Sequence, residues 1–236
     1  MQLSEIQMIN LASSCRKIAR SLRSLGRRID GIALTEFAVV TPVFLSLGMV
    51  GFEVANLAVT KTRVSQIALS VADNASRLGQ TNNTALTPTI SENEVNAVLR
   101  GAEEQGKSIS FAENGRVILS SLEYDGVLDR QFIHWQRCYG DKDVDSAYGN
   151  DSDKNGKNGP RLNGMGETDR EVTAPPGEAV MFVEVYYDYP AVFSNSLTRD
   201  ITLREEAAFI IRDDRTLTPE FDPDEKGLTG ALLNEC

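Results

Sequence analysis

The sequence is poor in the residues that most catalytic and metal sites need. Of its 236 residues one is His, three are Cys and one is Trp. The lone His134 cannot supply a two-histidine metal site, and no Ser or Cys stands in a recognisable order with it. The residues therefore point to a protein that is not an enzyme and carries no cofactor. Positive charge is also short, with 24 basic residues against 34 acidic ones and a net charge of −10. That excludes nucleic acid as a partner of the whole chain, because a phosphate backbone requires a basic surface. Three cysteines are too few for a disulfide scaffold. A composition of 41% hydrophobic and 25% charged residues excludes a wholly disordered chain.

What charge there is lies unevenly. Residues 1–31 hold six basic residues, from Arg16 to Arg28, and two acidic ones, Glu5 and Asp30. Residues 54–236 hold 18 basic and 30 acidic. Between them runs the one long apolar stretch, Ile32 to Val59, interrupted only by Glu36 and Glu53. A bilayer crossing needs about 20 apolar residues, so residues 32–59 are long enough. The basic flank orients such a span with its N-terminus in the cytoplasm and the acidic remainder across the membrane. A secretory signal would place its cleavage site after the core. Instead the helical pattern continues, with Val54, Leu57, Val64, Ile67, Ala68, Val71, Ala75 and Leu78 at spacings of three and four. The expectation is one helix from Gly31 to Leu78, membrane-embedded to Val59, extended over 60–78, and bent at Pro42. The leader, residues 1–31, reads either as a basic amphipathic helix on an anionic membrane surface or as an unstructured tail that only sets topology. Its Cys15 falls on the reducing side.

Glu36 carries the most information. It stands within the apolar span, where an unpartnered charge is costly, so it is either solvated at headgroup level or paired. Its context is Arg27-Arg28-Ile29-Asp30-Gly31, then Ile32-Ala33-Leu34-Thr35-Glu36-Phe37-Ala38-Val39-Val40 and Pro42. A basic leader ending in glycine, an apolar helix and a glutamate as its fifth residue resemble the processing site of type IV pilin-like proteins. Within that superfamily the segment over residues 27–78 is similar to the TadE-like minor pilins (pseudopilins) of the tight-adherence (Flp) pilus system. Gly51-Phe52-Glu53 and Trp135-Gln136-Arg137-Cys138 are similar to stretches of the same group. The resemblance implies that a prepilin peptidase cuts between Gly31 and Ile32 on the cytoplasmic side. It further implies that Glu36, beside Phe37, pairs with the new Ile32 amine of an adjacent subunit and fixes the stagger of packed helices. Other pilin subunits, the pilus assembly platform and the lipid bilayer follow as partners. The implied location is the inner membrane, single-pass, with a periplasmic C-terminal domain, and either the filament or the assembly platform as its place of work. The competing reading is a single-pass anchored periplasmic binding module whose tether is never processed.

Beyond Leu78 the chain turns polar, Gly79-Gln80-Thr81-Asn82-Asn83-Thr84, and residues 79–236 read as a small α+β domain. Ser91-Glu92-Asn93-Glu94 is a capping box opening a short helix to Gln105. Four strands follow by period-two alternation, Arg116–Glu123, Leu128–Arg137, Glu178–Tyr189 and Ile201–Arg212, pairing as an antiparallel sheet with one apolar face on the helices. The segment 139–176 has no periodicity and reads as a long loop. In it Asp151, Asp153 and Asn155 have the ligand spacing of a calcium loop's first half, but Leu162 stands where an EF-hand places its glutamate. A calcium site and a solvated turn-rich loop both fit. Cys138 and Cys236 would face an oxidising periplasm, either bridged or as two thiols.

Overall fold

A computed structural model describes residues 30–79, 90–151, 155–156, 159–160, 162–193, 201–212, 234 and 236. The basic leader through Ile29, most of the linker after Gly79, and Asp153 of the candidate calcium loop lie outside the described residues. The chain divides into two units, Met1–Phe52 and Glu53–Cys236. The layout is α+β, a long apolar N-terminal helix and a four-stranded antiparallel sheet with short helices.

Helix α1 runs over Asp30–Ala75 and continues through Pro42 without a break. Of its residues 31–52 all are exposed but Thr41, which is half-buried. From Glu53 onward one face goes under cover, with Glu53, Thr60, Val64, Ile67, Ala68, Val71, Ala72 and Ala75 buried. The spacing of three and four is that of a single helical stripe. It lies one residue off the expected start, because Val54 is 61% exposed while Glu53 is 3% exposed. The helix stops at Ala75, and Gly79 follows with a φ of 83°, a left-handed conformation that glycine adopts without cost.

Helix α2 covers Glu92–Gly106. Its capping box forms as the sequence requires: the Glu94 amide donates to Ser91 Oγ at 3.3 Å, and the Ser91 amide to the Glu94 carboxylate at 3.0 Å. Val95, Leu99 and Ala102 make its buried face. The strands do not begin directly after it. A 3₁₀ turn, Lys107–Ile109, and one further turn, α3 (Phe111–Asn114), come first. They fold tightly around Phe111: a Cβ on Gly106 would sit 2.3 Å from the Phe111 Cβ, and one on Gly115 2.5 Å from its ring. Two glycines thus give a buried aromatic room to stack on Tyr187, ring centroids 6.1 Å apart.

The sheet comprises β1 (Gly115–Asp125), β2 (Arg130–Tyr139), β3 (Ala179–Asp188) and β4 (Thr202–Ile210). Their order is β2-β1-β3-β4, all neighbours antiparallel. The β1–β2 turn is held by Asp125, whose carboxylate accepts from the Val127 and Leu128 amides at 2.9 and 3.3 Å. On the inner face Val117, Leu119, Met181, Val183, Val185, Tyr187 and Leu203 pack with the buried stripe of α1 and with Val95 and Leu99 of α2. This is the main core.

The outer face is covered as well, which alternation alone did not indicate. Leu122, Ile133, Val180 and Phe182 pack against Met165 and Ala174, two residues of the long connection between β2 and β3. That connection is pinned at several points, although many of its described side chains stay exposed. Gln131 donates to the Ala174 carbonyl at 3.1 Å and accepts from its amide at 2.8 Å. Isolated bridges join Gln131 to Leu162 and Met165 to Val172. The segment lacks a period because single residues, widely spaced, do its packing.

Candidate functional site

Two places on α1 stand out, one open and one buried. The first is its exposed half. Twelve large apolar side chains between Ile32 and Phe52 lie open to surroundings, with Phe44 71% exposed. They circle the helix rather than marking one stripe. The stretch 31–52 is about 33 Å long at 1.5 Å per residue, close to a bilayer's apolar thickness. This one helix is long and apolar enough to span a membrane.

Each residue singled out from the sequence has a definite place there. Gly31 lies in the first turn of α1, and a Cβ added to it would meet nothing within 4 Å. The same holds of Gly48 and Gly51 further along the helix. Ile32 is exposed, and its carbonyl accepts from Thr35 Oγ1 at 2.8 Å. Glu36 lies one turn on, on the same face as Ile32, and is exposed, as is Phe37. None of the ion pairs among the described residues involves Glu36.

The second place is Glu53, which the sequence shows only as a break in an apolar run. Its carboxylate accepts the Tyr189 hydroxyl at 2.8 Å, the Val192 amide at 3.1 Å and the Phe193 amide at 3.1 Å. Asn56, one turn on, donates to the same Tyr189 oxygen at 2.8 Å. A buried carboxylate is tolerable only with such a set of donors. The signal that could have found it is its register: Glu53, Leu57, Thr60 and Val64 share the spacing of the buried stripe.

The remaining sequence candidates are bound up in the fold. Asp151 accepts from the Gln136 amide at 2.9 Å and stands 3.9 Å from Arg137. The Asn155 carbonyl accepts from the Ile133 amide at 2.9 Å, and its side chain donates to the Tyr148 carbonyl. Both residues fasten the connection to β2, and no metal-ligating group of three occurs among the described residues. Cys138 and Cys236 form a disulfide, Cα atoms 5.0 Å apart. The Cys138 amide donates to the Asn234 carbonyl at 2.7 Å, and Asn234 donates to Asn96 at 2.7 Å, so the chain's end is tied to both β2 and α2. His134 Nδ1 lies 2.7 Å from Glu123, which also accepts from Ser121 at 3.1 Å. The acid stands between serine and imidazole, and both Ser121 and Glu123 are buried within the sheet.

A polar network on the outer face went unread in the sequence. Glu184 is fully buried and accepts from Ser146, from the Ala147 amide at 3.0 Å and from the Tyr186 hydroxyl at 2.9 Å. Arg204 stands 3.5 Å away, over the rings of Tyr148 and Tyr186. Burial pushes the Glu184 carboxyl above its ordinary value despite these donors. Burial and a hydrogen bond to Glu206 push the Tyr148 hydroxyl up to about 12.

No family model, curated protein or solved structure matches the chain.

Proposed function

We propose that this chain is a non-enzymatic, membrane-anchored subunit of a type IV pilin-like filament system, a minor pilin of the TadE-like kind that residues 27–78 resemble. The observation that carries the reading is the exposed half of α1, apolar all round with one carboxylate, Glu36, a turn beyond Ile32. A helix bare on every side suits both lipid and a bundle of like helices. A lone acid in it calls for a cation from outside the chain. A prepilin peptidase acting after Gly31 would supply one, the Ile32 amine of the next subunit, and the pair would set the axial register. In this reading the leader is cytoplasmic, the helix sits in the inner membrane or the filament, and the sheet domain is periplasmic.

Mass spectrometry of the membrane-extracted protein tests it. In cells bearing the peptidase the chain should begin at Ile32, and Glu36→Ala should insert normally yet fail to enter filaments. A chain that keeps Met1 in those cells supports the unprocessed tether instead.

A further inference from the structure

The segment that Glu53 holds has an unusual makeup for an exposed connection. It leaves β3 as Tyr189-Pro190-Ala191-Val192-Phe193, and its last two side chains are open, 53% and 42% exposed. Three of its four backbone amides, all but that of Ala191, are bonded inside the protein. Pro190 has no amide hydrogen, the Tyr189 amide donates to the Ile201 carbonyl at 2.9 Å, and the Val192 and Phe193 amides donate to Glu53. Backbone donors bonded inside the protein are the condition a segment must meet to enter an apolar medium. Water-facing loops have no need of it.

The hydrogen bonds also fix the height of this strap. It lies against α1 at Glu53, the residue directly after Phe52, where the bare apolar stretch ends. At that level α1 still shows Val54 on another face, and Val59 is 53% exposed further along. The first exposed cation on α1, Lys61, comes eight residues after Glu53, about 12 Å along the axis. Apolar side chains up to that height and a cation beyond it match the depth profile of a headgroup region.

We propose that the strap Pro190–Phe193 is a shallow membrane-inserting edge of the sheet domain, with Val192 and Phe193 at the boundary of headgroups and acyl chains and Glu53 as the residue that positions them. The inference rests on the membrane-anchored reading of α1, and deepens it by adding a second lipid contact. Such a contact would hold the domain at a fixed height over the bilayer, where a single helix alone leaves it free to swivel.

The test uses the full chain in phosphatidylcholine–phosphatidylglycerol vesicles, with the Trp135 signal of the unaltered protein subtracted. Tryptophan at the strap, as Phe193→Trp and separately as Val192→Trp, should emit at shorter wavelength than in water. It should lose intensity to lipids brominated near the headgroup end of the chain more than to lipids brominated near the chain terminus. Adding Glu53→Ala to Phe193→Trp should shift the emission back toward that of water and weaken the quenching. As a reference, Phe44→Trp should be quenched most by the deep bromines. Strap tryptophans that aqueous iodide quenches and bromolipids do not, with the Phe44→Trp reference still deep, overturn this inference and leave the anchor reading standing. A Phe44→Trp variant whose added emission no bromolipid reaches overturns the anchor reading itself.

Discussion

The two halves of α1 share one backbone and very different surroundings. Over residues 31–52 almost every side chain is open, and the sequence is apolar on all sides. Over 53–75 a stripe from Glu53 to Ala75 is buried and the other faces carry Lys61, Arg63, Asp73 and similar polar groups. A helix formed against a sheet needs one apolar stripe, whereas one formed in lipid or in a bundle needs apolar residues all round. The changeover falls between Phe52 and Glu53. It is marked by an acid that is buried rather than by the loss of hydrophobicity, so composition alone does not locate it.

The comparison breaks most visibly under truncation of large apolar residues. Ile67 is fully buried in the core between α1 and the sheet. Ile67→Ala should cost about 2–5 kcal/mol of unfolding free energy, the usual penalty for a buried cavity. Phe44→Ala should change the same quantity by less than about 0.5 kcal/mol, since that side chain is 71% exposed. Denaturant titration in micelles, followed by Trp135 emission, measures both. Equal losses would mean that the two halves are one cooperative body. A somewhat smaller effect is expected at the disulfide, which closes a chain separation of 98 residues. Cys138→Ser with Cys236→Ser should lower stability by about 2–4 kcal/mol. The loss belongs to the sheet domain alone, so the helicity of a peptide covering 31–52 in micelles serves as the reference.

The parts legible in the sequence are those governed by neighbours in the chain. The Ser91–Glu94 capping box, the alternation that becomes β3 and β4, and the stripe from Val64 to Ala75 are all local patterns, and each is present in the structure. Contacts made across the chain were not legible. Glu53 meets Tyr189 at a separation of 136 residues, and nothing near either residue announces the other. Covering the outer face depends on Met165 and Ala174, single residues in a stretch without a period. The turn around Phe111 left only Gly106 and Gly115 as traces, and glycines in pairs have many causes. At the exposed half of α1 the residues themselves were readable, and the structure leaves them open.

The smallest effect expected separates the two units of the chain by how each treats a carboxylate. Glu36 stands open on the bare half, whereas Glu184 is sealed beneath the connection on the outer face of the sheet. Burial raises the Glu184 carboxyl above its ordinary 4.5, against the pull of Ser146, the Ala147 amide, Tyr186 and Arg204. The folded chain therefore holds this proton more tightly than the unfolded one. The stabilisation linked to that proton is fully present below pH 4.5 and is lost as pH rises through the raised value. Glu184→Gln keeps the shape, an oxygen that accepts from the Ala147 amide and the Tyr186 hydroxyl, and an amide group that can donate to Ser146 Oγ, but has no proton to lose. Its melting temperature should gain on that of the unaltered protein as pH climbs from 4.5, then keep a constant lead. Glu36→Gln should produce no such divergence in the melting of the sheet domain, because Glu36 lies in the other unit. Parallel melting curves for Glu184→Gln and the unaltered chain across this range would mean that the four donors hold the carboxylate as well as water does, and that burial on the outer face carries no electrostatic cost.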